Sequence, residues 1–256
     1  IIMCGIVGFT NYNGNMRNEE ARRVLANMND TLKKRGPDES GMYVEEDICI
    51  AHRRLIVIDP DGGKQPMVCK YLGNTYVITY NGQIYNTKEL RKTLEESGFS
   101  FEGHSDTEVL LKAFIYYGYN VVNHLNGIFA FAIWNEGKKE LFLARDHFGV
   151  KPLFYSIKDN QLIFASEIKA LFEYPSIYPK IDKTGISELF GIGPAHTPGI
   201  GVFKGIDELK PANFMIFNKN GVKIQEYWKL KSKVHTDDFE TTCIKVKDLL
   251  TDAIER

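Results

Sequence analysis

Several things are scarce or missing in this 256-residue chain. Its four cysteines stand at positions 4, 49, 69 and 243, with no CxxC pair. That spacing offers no disulfide framework and fits reduced thiols, so the expected location is the cytoplasm. The six histidines show no HxxH or HxxxH spacing, and no metal site is expected. No apolar run approaches the ~20 residues that span a bilayer, which removes the membrane as an expected partner. The N-terminal Ile1-Ile2-Met3 lacks the charged and apolar regions of a signal peptide. With 32 basic and 33 acidic side chains, and no block of one sign, nucleic acid is not expected either. The longest basic run, Lys33-Lys34-Arg35, reads as a solvated helix end.

What is present is an ordinary globular composition, with 43% hydrophobic and 25% charged residues. Short apolar bursts rich in Tyr, Phe, Ile and Val read as strands: Gly5 to Phe9, Ile48 to Asp59, Thr75 to Tyr80, Ile128 to Trp134, Glu140 to Arg145, Leu153 to Ile157 and Gln161 to Ala165. A last hairpin is expected from Ala212 to Phe217 and Lys223 to Leu230, around Lys219-Asn220-Gly221. Helices are expected where Ala21, Val24, Leu25, Met28 and Leu32 share a face, over Thr87 to Ser97, and over Val109 to Tyr117. Asn86 with Glu89, and Ser105 with Glu108, look like capping boxes. Residues 191–211 read as a long ordered loop and Ser232 to Asp238 as a linker. Phe239 to Arg256 reads as a helix in which the chain stops, the expected start of a further domain. Strands in hairpin-like succession with helices grouped around them make the expected class α+β.

Cys4 is the sharpest candidate. As the first residue of a mature chain it would carry a thiol and a free α-amine together. The amine, with an ordinary pKa near 7.7–8.0, could then serve as base for the thiol. A buried cysteine in a first strand is the commoner reading of such a residue taken alone. Asn81-Gly82 could supply a side-chain amide and a backbone N–H to an oxyanion, or form a type I′ hairpin turn. The helical pattern that follows opposes the turn. Arg54 could grip a carboxylate with its planar fork, or simply sit exposed on a strand. Asp106, in the first turn of a helix, could bind a substrate ammonium or answer the helix dipole, and the two roles are compatible. Asp61-Gly62-Gly63-Lys64-Gln65 lacks the earlier Gly and the following Ser/Thr of a phosphate loop and reads as a turn.

A series of runs then appears in order: Met3-Cys4-Gly5-Ile6, Arg35-Gly36-Pro37-Asp38, Ala51-His52-Arg53-Arg54-Leu55 and Tyr80-Asn81-Gly82-Gln83-Ile84-Tyr85-Asn86. Ser105 to Glu108, Gly127 to Ala132, Arg145 to Gly149 and Ser166 to Leu171 follow. Together they resemble the class II, N-terminal nucleophile glutamine amidotransferases. They are most similar to the glutaminase domain of glutamine-hydrolysing asparagine synthetases of the B type.

The resemblance implies a four-layer αββα sandwich of two antiparallel sheets. It places the amidotransferase domain over residues 4–230, with residues 1–3 a leader to be removed and 231–256 a linker and the start of a truncated synthetase domain. It implies that Cys4 attacks the glutamine carboxamide to form a thioester and that Asn81 and Gly82 hold the oxyanion. Arg54, Val57, Ile58, Gln83 and Asp106 would bind substrate, while Arg35 to Asp38 would be structural. Ammonia would pass to the synthetase domain of the same polypeptide, which makes asparagine from aspartate. No cofactor is expected in this domain; ATP and Mg are implied for the synthetase domain, whose Ser-Gly-Gly-x-Asp-Ser loop is absent here. A homodimer is left open. Two departures stand out: Gln83 replaces the family's usual Glu, and three residues precede the nucleophile. Rival readings are an amidotransferase feeding a phosphoribosyl or hexosamine synthase, and a non-catalytic domain of a lactam-forming, synthetase-like protein.

Overall fold

Alternating side chains on strands need cover on both faces wherever both are apolar, and this chain supplies it with stacked layers. The computed structural model describes residues 3–255 except 13, 15, 17, 58, 61 and 194–196. Its strands are β1 (Gly5–Thr10), β2 (Glu39–Val44), β3 (Ile48–Arg54), β4 (Met67–Tyr71), β5 (Asn74–Ile84), β6 (Gly127–Asn135), β7 (Glu140–Arg145), β8 (Phe154–Lys158), β9 (Gln161–Ala165), β10 (Asp207–Glu208), β11 (Asn213–Asn218) and β12 (Gly221–Glu226). Its helices are α1 (Asn18–Asp30), α2 (Thr87–Glu96), α3 (Asp106–Tyr117), α4 (Ile168–Leu171), α5 (Lys183–Gly191) and α6 (Phe239–Glu255).

Two six-stranded antiparallel sheets form, in the orders β10-β8-β9-β1-β3-β2 and β12-β11-β7-β6-β5-β4. Each strand sorts its residues between two cores. On β1, Val7 and Phe9 pack with Val24, Leu25 and Met28 of α1, whereas Ile6 faces the second sheet. On β5, Ile78 and Tyr80 pack against Leu110 and Phe114 of α3, whereas Val77 faces the first sheet. Trp134, Phe164 and Met215, all fully buried, fill the space between the sheets. The αββα layering expected from the resemblance is therefore the observed one.

Several local expectations are corrected. β3 ends at Arg54, not Asp59, because the chain leaves the sheet there to form a loop. β5 runs on to Ile84, so Asn81-Gly82 lies inside a strand paired with Ala130 and Phe129 of β6, and the turn reading falls. Asn86 does not cap α2. Its side chain donates to the His124 carbonyl and accepts from Asn126 N–H, tying down a distant loop. Ser105 does accept from Glu108 N–H at 3.3 Å, but the Glu108 carboxylate turns to the N–H groups of Glu102 and Gly103, so the box is half made. Strands β2 and β4 and helices α4 and α5 were not expected, and the 191–211 loop contains β10. The final hairpin pairs Asn218 with Gly221, and its second strand stops at Glu226 rather than Leu230. α1 closes at Asp30, and Arg35 is buried rather than solvated.

Candidate active site

Cys4 sits just ahead of β1, on the same side of the strand as Ile6, and so at the open end of the layer between the sheets. Across that layer β5 carries Thr79 and Asn81 on its inward side, with Thr79 bonded to His52 of the first sheet. The nucleophile candidate and the Asn-Gly pair thus come from different sheets and meet at one rim. Between them lies a pocket of about 230 Å³, lined among others by Met3, Cys4, Arg54, Val57, Asn81, Gly82, Gln83, Asp106 and Lys151. Of the residues picked out from the sequence, Ile58 lies outside the described residues, as do Ile1 and Ile2 of the leader, Asp61 of the Gly-rich segment and Arg256 of the last helix.

Arg35 fixes the Cys4 backbone. Its Nε donates to the Cys4 carbonyl at 3.0 Å, and its Nη1 pairs with Glu167 at 3.1 Å. The thiol sits against Leu55, whose N–H donates to Sγ at 3.4 Å. Burial pushes the Cys4 thiol above its ordinary value, while the Leu55 bond, then Arg54 and Lys151, pull it back.

Asn81 is 2% exposed, and its side-chain Nδ2 is buried without a hydrogen-bond acceptor among the described residues. A buried donor left open in this way costs free energy of about 1–3 kcal/mol. The backbone beside it is arranged similarly. Odd-numbered residues of β5 bond toward β6, as Tyr85 N–H to the Asn126 carbonyl continues. Even-numbered N–H groups face the other edge: Tyr80 N–H donates to Gln65 Oε1 at 2.6 Å and Ile84 N–H to Asp106 Oδ2 at 3.2 Å. Gly82 N–H lies between them on that edge, where β4 has already ended at Ile78's partner Met67. Gly is required there, since a Cβ would meet the Ile128 carbonyl at 2.4 Å.

Asp106 opens α3 and is held by the Tyr80 hydroxyl, which donates to Oδ2 at 2.7 Å. Burial raises its carboxyl above the ordinary value against the pull of those two bonds. Arg54 lines the pocket as expected but is also a loop clamp. Its Nη1 pairs with Glu39 at 2.9 Å and donates to the Pro60 carbonyl at 2.8 Å, and Nη2 donates to the Asp59 carbonyl at 2.6 Å. Asp59 in turn accepts from Gly62 and His104 N–H, so the Gly-rich segment is the turn it looked like.

A model of the glutamine amidotransferase domain matches residues 3–228. The chain belongs to that family. It is 48% identical over 254 residues to asparagine synthetase [glutamine-hydrolyzing] 3 of Bacillus subtilis (strain 168), covering 99% of this chain and 41% of the relative. Asparagine synthetase [glutamine-hydrolyzing] 1 of the same organism is 33% identical over 253 residues, covering 98% and 39%. Among solved structures, glutamine phosphoribosylpyrophosphate amidotransferase from B. subtilis matches with a TM-score of 0.61 at 20% identity, over 88% of this chain and 49% of that one, a likeness of fold. The chain spans about two fifths of the length of these curated relatives.

In this amidotransferase domain, sequence reasoning passed over Tyr80, Gln65 and Lys151 as pocket residues. Tyr80 opens the run Tyr80 to Asn86, and its signal is a hydroxyl on an aromatic at an apolar strand position. Lys151 carried no signal, because only the fold brings it to Cys4. No helix of the described residues is long and apolar enough to cross a membrane.

Proposed function

We propose that this amidotransferase domain hydrolyses glutamine to glutamate and ammonia, with Cys4 as an N-terminal nucleophile. In the synthetases it resembles, the ammonia would serve an ATP- and Mg-dependent unit of the same polypeptide that converts aspartate to asparagine. The observation that carries the hydrolysis is the buried, unanswered Asn81 amide facing the same pocket as the Cys4 thiol. A negative oxygen developing on a carboxamide would give that donor its acceptor, and Gly82 N–H would be the second.

The chemistry balances without a histidine. Cys4 Sγ bonds to the carboxamide carbon while the thiol proton passes to the Cys4 α-amine. That proton then goes to the departing nitrogen, the C–N bond breaks, and ammonia leaves a thioester. Water, deprotonated by the same amine, attacks the thioester. Glutamate is released and the thiol restored. The working form is therefore one in which Cys4 is the first residue, because a Met3-Cys4 peptide nitrogen has no basicity to offer. Met3 also lines the pocket that glutamine would enter.

For the substrate, Asp106 would take the ammonium, helped by Gln83 as a neutral acceptor. Arg54 would take the α-carboxylate at its pocket edge while clamping the loop that carries Val57 and Ile58. The test is a glutaminase assay paired with intact mass. Protein beginning at Cys4 should release glutamate and ammonia, whereas protein retaining Met3, and Cys4→Ala, should fall below a tenth of that rate while staying folded. Activity of a preparation whose measured N-terminus precedes Cys4 would remove the amine from the mechanism.

A further inference from the structure

The Arg145 to Lys151 turn brings a cation into the pocket that Cys4 lines. Arg145, 5% exposed, donates from Nε to the Lys151 carbonyl at 2.8 Å and from Nη2 to the Gly149 carbonyl at 2.7 Å, and pairs with Glu208 at 2.9 Å. The Asp146 carboxylate accepts from the N–H groups of Phe148, Val150 and Lys151. The turn is thereby locked, and Lys151 enters the Cys4 pocket from it. Lys151 is 9% exposed, and among the described residues its Nζ has one acceptor, the thioether of Met3 at 3.0 Å. A thioether is a weak acceptor for an ammonium, and removal of Met3 takes even that away.

We propose that Lys151 is a positioning residue for the Cys4 head group: once Met3 is gone its ammonium faces the free α-amine and thiol and disfavours their fully protonated form. The sign does not depend on which of the two groups gives up the proton. Loss from the thiol or from the α-ammonium lowers the local charge by one, and a neighbouring cation favours either. The other charges around Cys4 are Arg54 from the end of β3, Arg35 bound to Glu167, Asp106 from α3 and Asp146 within the turn, and the Tyr80 hydroxyl of β5, which burial keeps protonated, is the further titratable group. Arg35 and Arg54 are each paired with a carboxylate, so Lys151 is the cation here that lacks one among the described residues. Burial and the nearby Arg35 depress Lys151's own proton affinity, while Cys4 and Asp146 raise it.

This inference rests on Cys4 as nucleophile, yet it is tested apart from catalysis. Full-length protein whose mass shows Cys4 as first residue is alkylated with iodoacetamide across pH 5–9, and the Cys4 peptide is followed by mass spectrometry beside the glutaminase pH profile. In Lys151→Met the acid limb of both curves should move up by about one pH unit, and Lys151→Arg should restore it; Lys151→Gln serves if Met does not fold. An unmoved limb in a folded variant, or an equal shift in Lys151→Arg, overturns the proposal. A shifted alkylation limb in protein without glutaminase activity upholds it and fails the functional reading instead.

Discussion

Two sets of buried polar groups lie side by side in this domain and are treated in opposite ways. Around the turn after β7, Arg145 and Asp146 are bonded to backbone groups and to Glu208 on every side. At the pocket, among the described residues, the Asn81 Nδ2 has no acceptor and the Lys151 ammonium has only a thioether. Saturated groups hold a shape. Open ones hold a capacity to bind whatever arrives, and they lower the stability of the empty site. Open atoms also occur outside the pocket lining, at Asn29, Arg35, His52 and Gln161, so an open donor points to chemistry only where it faces a cavity, as Asn81 does.

The contrast breaks hardest at Arg145. Arg145→Ala would remove an ion pair from the buried Glu208 and donors from three backbone carbonyls, so unfolding free energy should drop by about 3–5 kcal/mol, read from urea denaturation. A loss under 1 kcal/mol would mean that the turn is held elsewhere. Asn81→Ala should behave in the opposite manner. Its Nδ2 contributes no bond to the folded state, so the melting temperature should hardly change, while kcat for glutamine falls by about 10²–10³. A rise in KM at constant kcat would make Asn81 a wall residue rather than an oxyanion donor.

His52 sharpens the comparison from inside the sandwich. It is fully buried between the sheets, bonded to Thr79, and burial lowers its pKa to about 3. The unfolded chain takes up that proton near 6.5 and the folded one does not. Its contribution to stability is thus complete above about pH 6.5 and is lost as pH falls toward 3. Between pH 7 and 4.5 the parent should lose about 2–3 kcal/mol that a His52→Leu variant keeps; parallel pH curves would contradict this. The smallest effect is expected in α6, where no residue is buried and Leu249 is 70% exposed. Leu249→Ser should alter the stability of this chain by less than about 0.5 kcal/mol, and a larger loss would reveal packing of that face within the domain.

Legibility in the sequence followed burial. Strands covered on both faces, such as β1, β6, β7 and β9, announced themselves as apolar runs close to their observed limits. The unexpected strands β2 and β4 lie at sheet edges, are half exposed, and carry the mixed sequences Glu39–Val44 and Met67–Tyr71 that edges permit. The turn propensity of Asn81-Gly82 is real, but the helical pattern after it already opposed the turn, and pairing with β6 overrides it. Asn86 looked like a cap because capping is a local rule, whereas its partners His124 and Asn126 are set by tertiary structure. Cys4, Asn81, Gly82, Arg54, Val57, Gln83 and Asp106 do meet at one pocket. The double duty of Arg54 and the approach of Lys151 could not be read in advance, since each depends on where a loop from elsewhere in the chain comes to rest.

One consequence follows from the division of the pocket between sheets. The Cys4 thiol travels with β1 and the proposed oxyanion donors, Asn81 and Gly82, travel with β5, in separate sheets. Their separation is gauged by the thickness of the middle core, where Trp134, Phe164 and Met215 act as shims. A misplacement of about 1 Å at a reacting centre can cost 10²-fold in rate. Trimming one of these distant, chemically inert side chains should therefore detune turnover well before the fold gives way.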